Sequence, residues 1–292
     1  MIFDWTRGYP LAMTVITNAI LNKQLDFSTE QNQRRLIEIL MQEVIKKNLL
    51  ADVTTHEDQN RLQTLLALFS IPRRFNLILM QDLIKKFAPQ YQLESSLAYL
   101  TLPSDINKVT SVLNWSMERA GYCIEAPIRN LFLLQYRVEQ PHQYVEIHIF
   151  LAEKNLSFAG EVTGSDRSRY MREFFYHLAY GENEALVREN LTQQIERLTQ
   201  LQAQERNNLL PSLESFLQFY EEFQQDVELK EALGQQNASF ASSLIYRNLI
   251  EIYRQLPEKE RGNWLRAFFS LVAHQSESED FALIFIEGMR QI

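Results

Sequence analysis

Arg7-Gly8-Tyr9-Pro10-Leu11-Ala12 is the stretch that sets the reading of the chain. Gly8 admits a backbone turn that a side chain with a Cβ resists. Pro10 fixes φ and has no N–H to donate, which suits the first turn of a helix. Leu11, Val15, Ile16, Ala19 and Ile20 then recur at helical spacing, so the stretch predicts a turn followed by a helix with one buried stripe.

The helical period continues outward from there. After the turn Asp26-Phe27-Ser28-Thr29-Glu30, residues Leu36, Ile37, Leu40, Met41, Val44 and Ile45 form a second stripe. Thr54-Thr55-His56-Glu57-Asp58 reads as a linker and helix start. The helix it opens, with Leu62, Leu65, Leu66 and Phe69, must stop before Pro72, because the residue before a proline is pushed out of the α region. A further helix carries Leu77 to Phe87 and ends near Pro89, and short helices follow with Leu93, Leu97, Tyr99 and Leu102. Val112 to Trp115 and Tyr122 to Glu125 can pair as a hairpin around Gly121. Pro127 and Pro141 each open a helix, the loop Ala159 to Ser165 follows, and Tyr170, Phe174, His177 and Leu178 lie on the next. Beyond residue 181 the spacing predicts at least four more helices, two of them opened by Pro211 and Pro257. The fold class expected is mainly α in three regions. These are a small helical domain at 1–50, a winged-helix-like region with a minor β-hairpin at 51–180, and a C-terminal helical bundle or short helical repeat at 181–292.

Composition narrows the function classes. The chain has 292 residues, 46% of them apolar, with only 8 Gly and 8 Pro, which favours helices around a sizeable core. Its net charge of -8 is uneven: +1 over residues 1–100, -3 over 101–195 and -6 over 196–292. An acidic last third opposes a broad phosphate-binding face there. The one cysteine, Cys123, has no internal disulfide partner, and reads as a structural thiol. No secretory leader pattern fits the start, and no apolar run reaches the length of a membrane span, so the expected location is the cytoplasm, away from membranes.

Several motifs together resemble one family. Thr6-x-Gly8-Tyr9-Pro10-Leu11-Ala12 is similar to the Gly-x-Pro motif of STAND-type ATPases, the signalling branch of the AAA+ NTPases. Leu65 through Asn76, with Pro72-Arg73-Arg74-Phe75 at its end, resembles the start of that family's winged-helix domain. Trp115, Gly121-Tyr122, Ile128-Arg129, Tyr144-x-Glu146-x-His148 and Phe175-Tyr176-His177-Leu178-Ala179 look like later parts of the same half, so the resemblance covers roughly residues 1–180. In that family the motif opens a small helical domain after the nucleotide-binding core, and its proline packs near the adenine. The resemblance implies a regulatory module, of a group that includes bacterial regulators and antiviral-defence proteins. It also marks a departure: no Gly-x-x-x-x-Gly-Lys-Ser/Thr occurs in the sequence, so the backbone cradle and lysine for phosphates are missing. The expectation is a piece or descendant of such an ATPase without its engine.

The candidate sites follow from these readings. Gly8, Tyr9 and Pro10 would contribute to a cofactor site only if another chain supplied the rest of a nucleotide pocket; otherwise no cofactor is expected. Phe216, Phe219, Tyr220, Phe223, Trp264 and Phe268 are dense enough aromatics for some to face a protein partner, although each alone reads as core. Arg73, Arg74, Lys85 and Lys86 are the basic residues a DNA-binding winged helix would use, too few for a strong duplex binder. Glu146-x-His148 points its two side chains to different sides of a helix, and His177 sits in an aromatic stripe, so neither predicts a metal. No catalytic serine, cysteine or carboxylate constellation is present in the sequence. The expectation is a non-enzymatic module that binds another protein of unknown identity, with nucleic acid a lesser partner. In this reading the acidic last third faces a basic surface, and truncation near residue 180 removes the binding.

Overall fold

Three of the helix starts are fixed by local chemistry. The Thr29 hydroxyl accepts from the Asn32 N–H at 3.2 Å, the Thr55 hydroxyl from Asp58 at 3.1 Å, and the Asn76 amide oxygen from Leu79 at 2.8 Å. Each satisfies an N–H that the first turn leaves without a helical partner. The computed structural model describes residues 2–204, 218–255, 258, 261 and 262.

In chain order the elements are α1 (Ile2–Thr6), α2 (Pro10–Lys23), α3 (Glu30–Leu40), α4 (His56–Ser70), α5 (Leu77–Phe87), α6 (Ala98–Thr110), β1 (Leu113–Ser116), β2 (Gly121–Ile124), α7 (Ala126–Glu139), α8 (Pro141–Glu161), α9 (Gly164–Gly181), α10 (Glu184–Gln204), α11 (218–225) and α12 (Val227–Gln255). The fold is mainly α with one two-stranded antiparallel hairpin. Helix α3 runs on as wider π-type turns over Met41–Leu49, where the Leu50 N–H reaches back to Ile45 at 2.9 Å. Gly234, with φ 73 and ψ 161, breaks α12 into two helical pieces.

The middle of the first half runs helix, bridge, two helices and hairpin. Helix α4 is followed by an isolated bridge in which Phe75 and Tyr122 exchange backbone hydrogen bonds of 2.9 and 2.8 Å. Then come α5, α6 and the β1–β2 hairpin, with Leu113 opposite Ile124 and Ser116 opposite Gly121. Gly121 is where the backbones approach most closely: an added Cβ would lie 3.1 Å from the Phe75 carbonyl oxygen. Helix α7 packs on α4, and its Arg129 Nε donates 2.9 Å to the buried Ser70 carbonyl in the last turn of α4, where the helix leaves its carbonyls without helical partners. The opening helices join this assembly, since α1 and α3 both pack against α7.

Contacts divide the chain into two compact units, Met1–Leu151 and Ala152–Ile292. This differs from the three expected regions in two places. Residues 1–50 share a unit with α4 to β2 because α7 packs against α1, α3 and α4 alike. Residue 180 falls inside the second unit, where Tyr176 and Leu178 share a core with Leu191, Phe223 and Ile245. A cut there removes most of that core instead of separating two domains.

Two elements depart from their expected bounds. Helix α6 runs unbroken through Pro103 to Thr110, a longer helix than the short ones expected with Tyr99 and Leu102. The proline forfeits one backbone hydrogen bond, but Tyr99, Leu102, Pro103, Ile106 and Thr110 are all buried along one side of the helix, and that burial outweighs the loss. The expected loop 159–165 contracts to Val162 and Thr163, because α8 extends to Glu161 and α9 starts at Gly164, whose φ is 60.

Candidate functional site

The basic residues offered for DNA are divided by the fold. Arg73 and Arg74 are buried at 3% and 6% exposure. The Arg74 Nη1 donates to the carbonyls of Arg119 and Ala120 at 3.0 and 3.2 Å, while the Arg119 Nη1 donates to the Arg73 carbonyl at 3.1 Å. These side chains tie the chain before α5 to the turn between β1 and β2; they are structural, and the DNA reading loses them. Lys85 and Lys86 are exposed on α5, and Lys86 lies over the Phe87 and Phe150 rings with Glu146 at 3.9 Å.

Helix α6, between α5 and the hairpin, turns one face to solvent. Leu97 beside its start, then Leu100, Thr101, Ser104, Asp105 and Lys108, recur at three- and four-residue steps and are all exposed. Leu97 is 74% exposed and Leu100 56%. The one base on that face, Lys108, is engaged by Asp105 at 2.8 Å. Asn107, on the inner side, holds α6 to the hairpin by donating to the Leu113 carbonyl and accepting from the Leu113 N–H at 2.9 Å. On the hairpin, Trp115 is half exposed and stacks edge-on against Tyr122 at 5.1 Å, and Met117 in the turn is 85% exposed. The face is apolar and close to neutral, the composition of a protein-binding surface and not of a phosphate-binding one.

The remaining candidates fall elsewhere. Arg7 and Gly8 both adopt positive φ, 48 and 78, and Pro10 begins α2 with its ring exposed. The turn is braced from within: the Arg7 N–H donates to Phe3 at 2.6 Å and the Tyr9 N–H to Thr6 at 2.9 Å. Phe219, Tyr220 and Phe223 are buried in the second unit, at 2%, 4% and 0% exposure, so they build its core and present no partner surface. Phe216, Trp264 and Phe268 lie outside the described residues. Cys123 is half-buried in β2, its thiol directed to the Gly121 carbonyl.

The histidines divide as helical geometry requires. Glu146 is exposed while His148, two residues on, is fully buried against Tyr144 at 4.4 Å between ring centres. Burial first, and then the positive charges of Arg129 and Arg137, hold its imidazole well below the ordinary histidine range and so neutral. Among the described residues no three His, Cys, Asp or Glu side chains gather as a bound metal would require, and no helix is long and apolar enough to cross a membrane. Sequence reasoning named no outward face on α6; the exposed pair Leu97 and Leu100, three residues apart, was the available signal. No protein-family model, curated protein or solved structure matches the chain.

Proposed function

We propose that this chain is a non-enzymatic interaction or regulatory module that binds another protein through the outward face of its winged helix. The observation that carries the reading is the pairing of exposed Leu97, Leu100, Trp115 and Met117 with inward-turned Arg73 and Arg74. Apolar side chains held in water by a rigid helix and hairpin gain by docking, about 25 cal/mol for each Å² of apolar surface they bury. The resemblance to the helical and winged-helix half of STAND-type ATPases supports a regulatory setting, such as a bacterial signalling or defence system. In that setting the winged helix transmits a state to a neighbour and leaves DNA unread.

The test is to express the tagged full chain in its native host and recover its partner by stoichiometric co-purification. The variant Leu97→Asp/Leu100→Asp is expected to lose the partner while keeping the wild-type circular dichroism and melting temperature. In parallel, fluorescence anisotropy with random duplex DNA at low salt should show no binding. Retention of the partner by the folded double variant, or tight salt-dependent duplex binding, would refute the proposal.

A further inference from the structure

We infer that the groove between α4 and α6 accepts a basic amphipathic peptide segment of a partner protein. The inference rests on the protein-binding reading and names the chemistry of what is bound. The groove has a volume of about 450 Å³ and lies wholly within the first unit. This is within the span of pockets that hold side chains or small ligands, roughly 300–1,000 Å³. Its floor is apolar: Val53, Leu62, Leu93 and Val109 are only half-buried, and Leu102 and Ile106 lie beneath them. Its rim is acidic, with Asp52, Asp58 and Asp105 all exposed and Arg61 the one base lining it. Lys108 offsets Asp105 in part from outside the groove.

Charge decides the occupant. The first hundred residues carry +1 overall, so an excess of aspartates around one apolar groove runs against its surroundings. Hydrogen bonding fixes one of them: Asp58 accepts from the Thr55 hydroxyl at 2.6 Å at the start of α4, which holds its carboxylate at the rim. An apolar stripe seated on Leu62, Leu102 and Val109 places flanking lysines or arginines beside these carboxylates. This is the helix-in-groove mode, with i, i+3 and i+4 apolar anchors. An acidic segment meets repulsion on the same rim, and a purely apolar ligand gains nothing from it.

The probe is a fluorescein-labelled amphipathic peptide of leucine and lysine, with a leucine–glutamate analogue and a scrambled leucine–lysine peptide of the same composition beside it. Anisotropy is read against the full chain, against Asp52→Lys/Asp105→Lys, and against Glu38→Lys/Glu189→Lys. That last pair makes the same change in net charge at exposed positions outside the groove. The expected result is saturable binding of the amphipathic basic peptide, weakened at least tenfold in Asp52→Lys/Asp105→Lys and less than threefold in the control. Hydrogen exchange should slow over residues 52–65 and 93–109 when it binds. Equal weakening in the two variants, equal binding of the scrambled peptide, or no binding at all overturns the groove assignment. Those results leave the protein-binding proposal standing if the partner still co-purifies and is lost from Leu97→Asp/Leu100→Asp; loss of both readouts removes the two together.

Discussion

Replacing Arg74 by methionine tests directly whether the Arg73-Arg74 pair is a latch or a ligand for phosphate. Methionine keeps an unbranched apolar stem but removes the guanidinium, and with it the bonds of 3.0 and 3.2 Å to the Arg119 and Ala120 carbonyls. Ala120 sits at φ 45, a left-handed conformation that a residue with a Cβ holds only when its surroundings impose it. Hydrogen bonds from a charged donor are each worth about 1.5–3 kcal/mol. Both bonds here share one nitrogen, so a single-bond value of about 2 kcal/mol is the appropriate magnitude, roughly thirtyfold in an opening equilibrium. The readout is hydrogen exchange at the amides of residues 113–124, with those of α7 as an internal reference. Hairpin amides are expected to exchange about thirtyfold faster while α7 changes little, and duplex DNA binding at low salt should be absent before and after the change. Unchanged hairpin exchange together with loss of a wild-type DNA interaction would refute the latch and restore Arg74 to the surface.

Other perturbations follow from the same geometry. Gly121→Ala forces a Cβ to 3.1 Å from the Phe75 carbonyl oxygen and should cost about 1–3 kcal/mol, read as a lower urea midpoint. Phe223→Ala, at a fully buried site in the second unit, should cost about 3–5 kcal/mol and lower the melting temperature, without removing a surface contact. His148 is held neutral in the folded chain, so the unfolded chain takes up its proton first as pH falls. Its contribution is therefore complete above the ordinary histidine pKa and is lost below it, by up to about 1.4 kcal/mol per pH unit until the depressed folded-state value is reached. Urea titrations between pH 7.5 and 5 should show this loss, and a matching slope in His148→Phe would count against it. Gly234→Ala places a Cβ at φ 73 and ψ 161, a region close to glycine-only, and should cost about 1–3 kcal/mol of melting stability.

The helical frame was legible because its signals are local. Thr29, Thr55 and Asn76 announce helix starts by their own hydrogen-bonding chemistry, and Pro72 and Pro89 announce stops by removing a donor. The hairpin was legible for the same reason, since Gly121 and the β-prone residues beside it sit within a few positions of one another. What escaped were effects of distance. Helices shorter than Ala98–Thr110 were expected with Tyr99 and Leu102, because the burial of Tyr99, Ile106 and Thr110 that carries the helix through Pro103 depends on α5 and β1. Arg74 looked like surface charge because its acceptors lie some forty-five positions away, at Arg119 and Ala120, and the Arg73 carbonyl accepts from Arg119 over the same separation. Phe219 and Phe223 looked available to a partner because the helices that bury them come from both sides of the sequence.

These errors share a direction, and it bears on function. Of the residues first assigned to a protein or DNA partner and then located by the described structure, Arg73, Arg74, Phe219, Tyr220 and Phe223 are buried within the protein, while Lys85 and Lys86 are exposed. None of the residues now facing solvent on α6 was first assigned to a partner. With Arg74 and Arg119 engaged in closing the hairpin, the outward face of α6 carries little positive charge with which to hold a duplex. What remains on that helix is leucine, Lys108, and an Asp105 that Lys108 offsets in part and that also lines the acidic groove. Desolvating such a surface costs little and recovers apolar burial only if the other side is also apolar, which a phosphate backbone is not and a protein helix is. The inward turn of Arg74 and the outward turn of Leu100 are thus two halves of one argument for a protein partner.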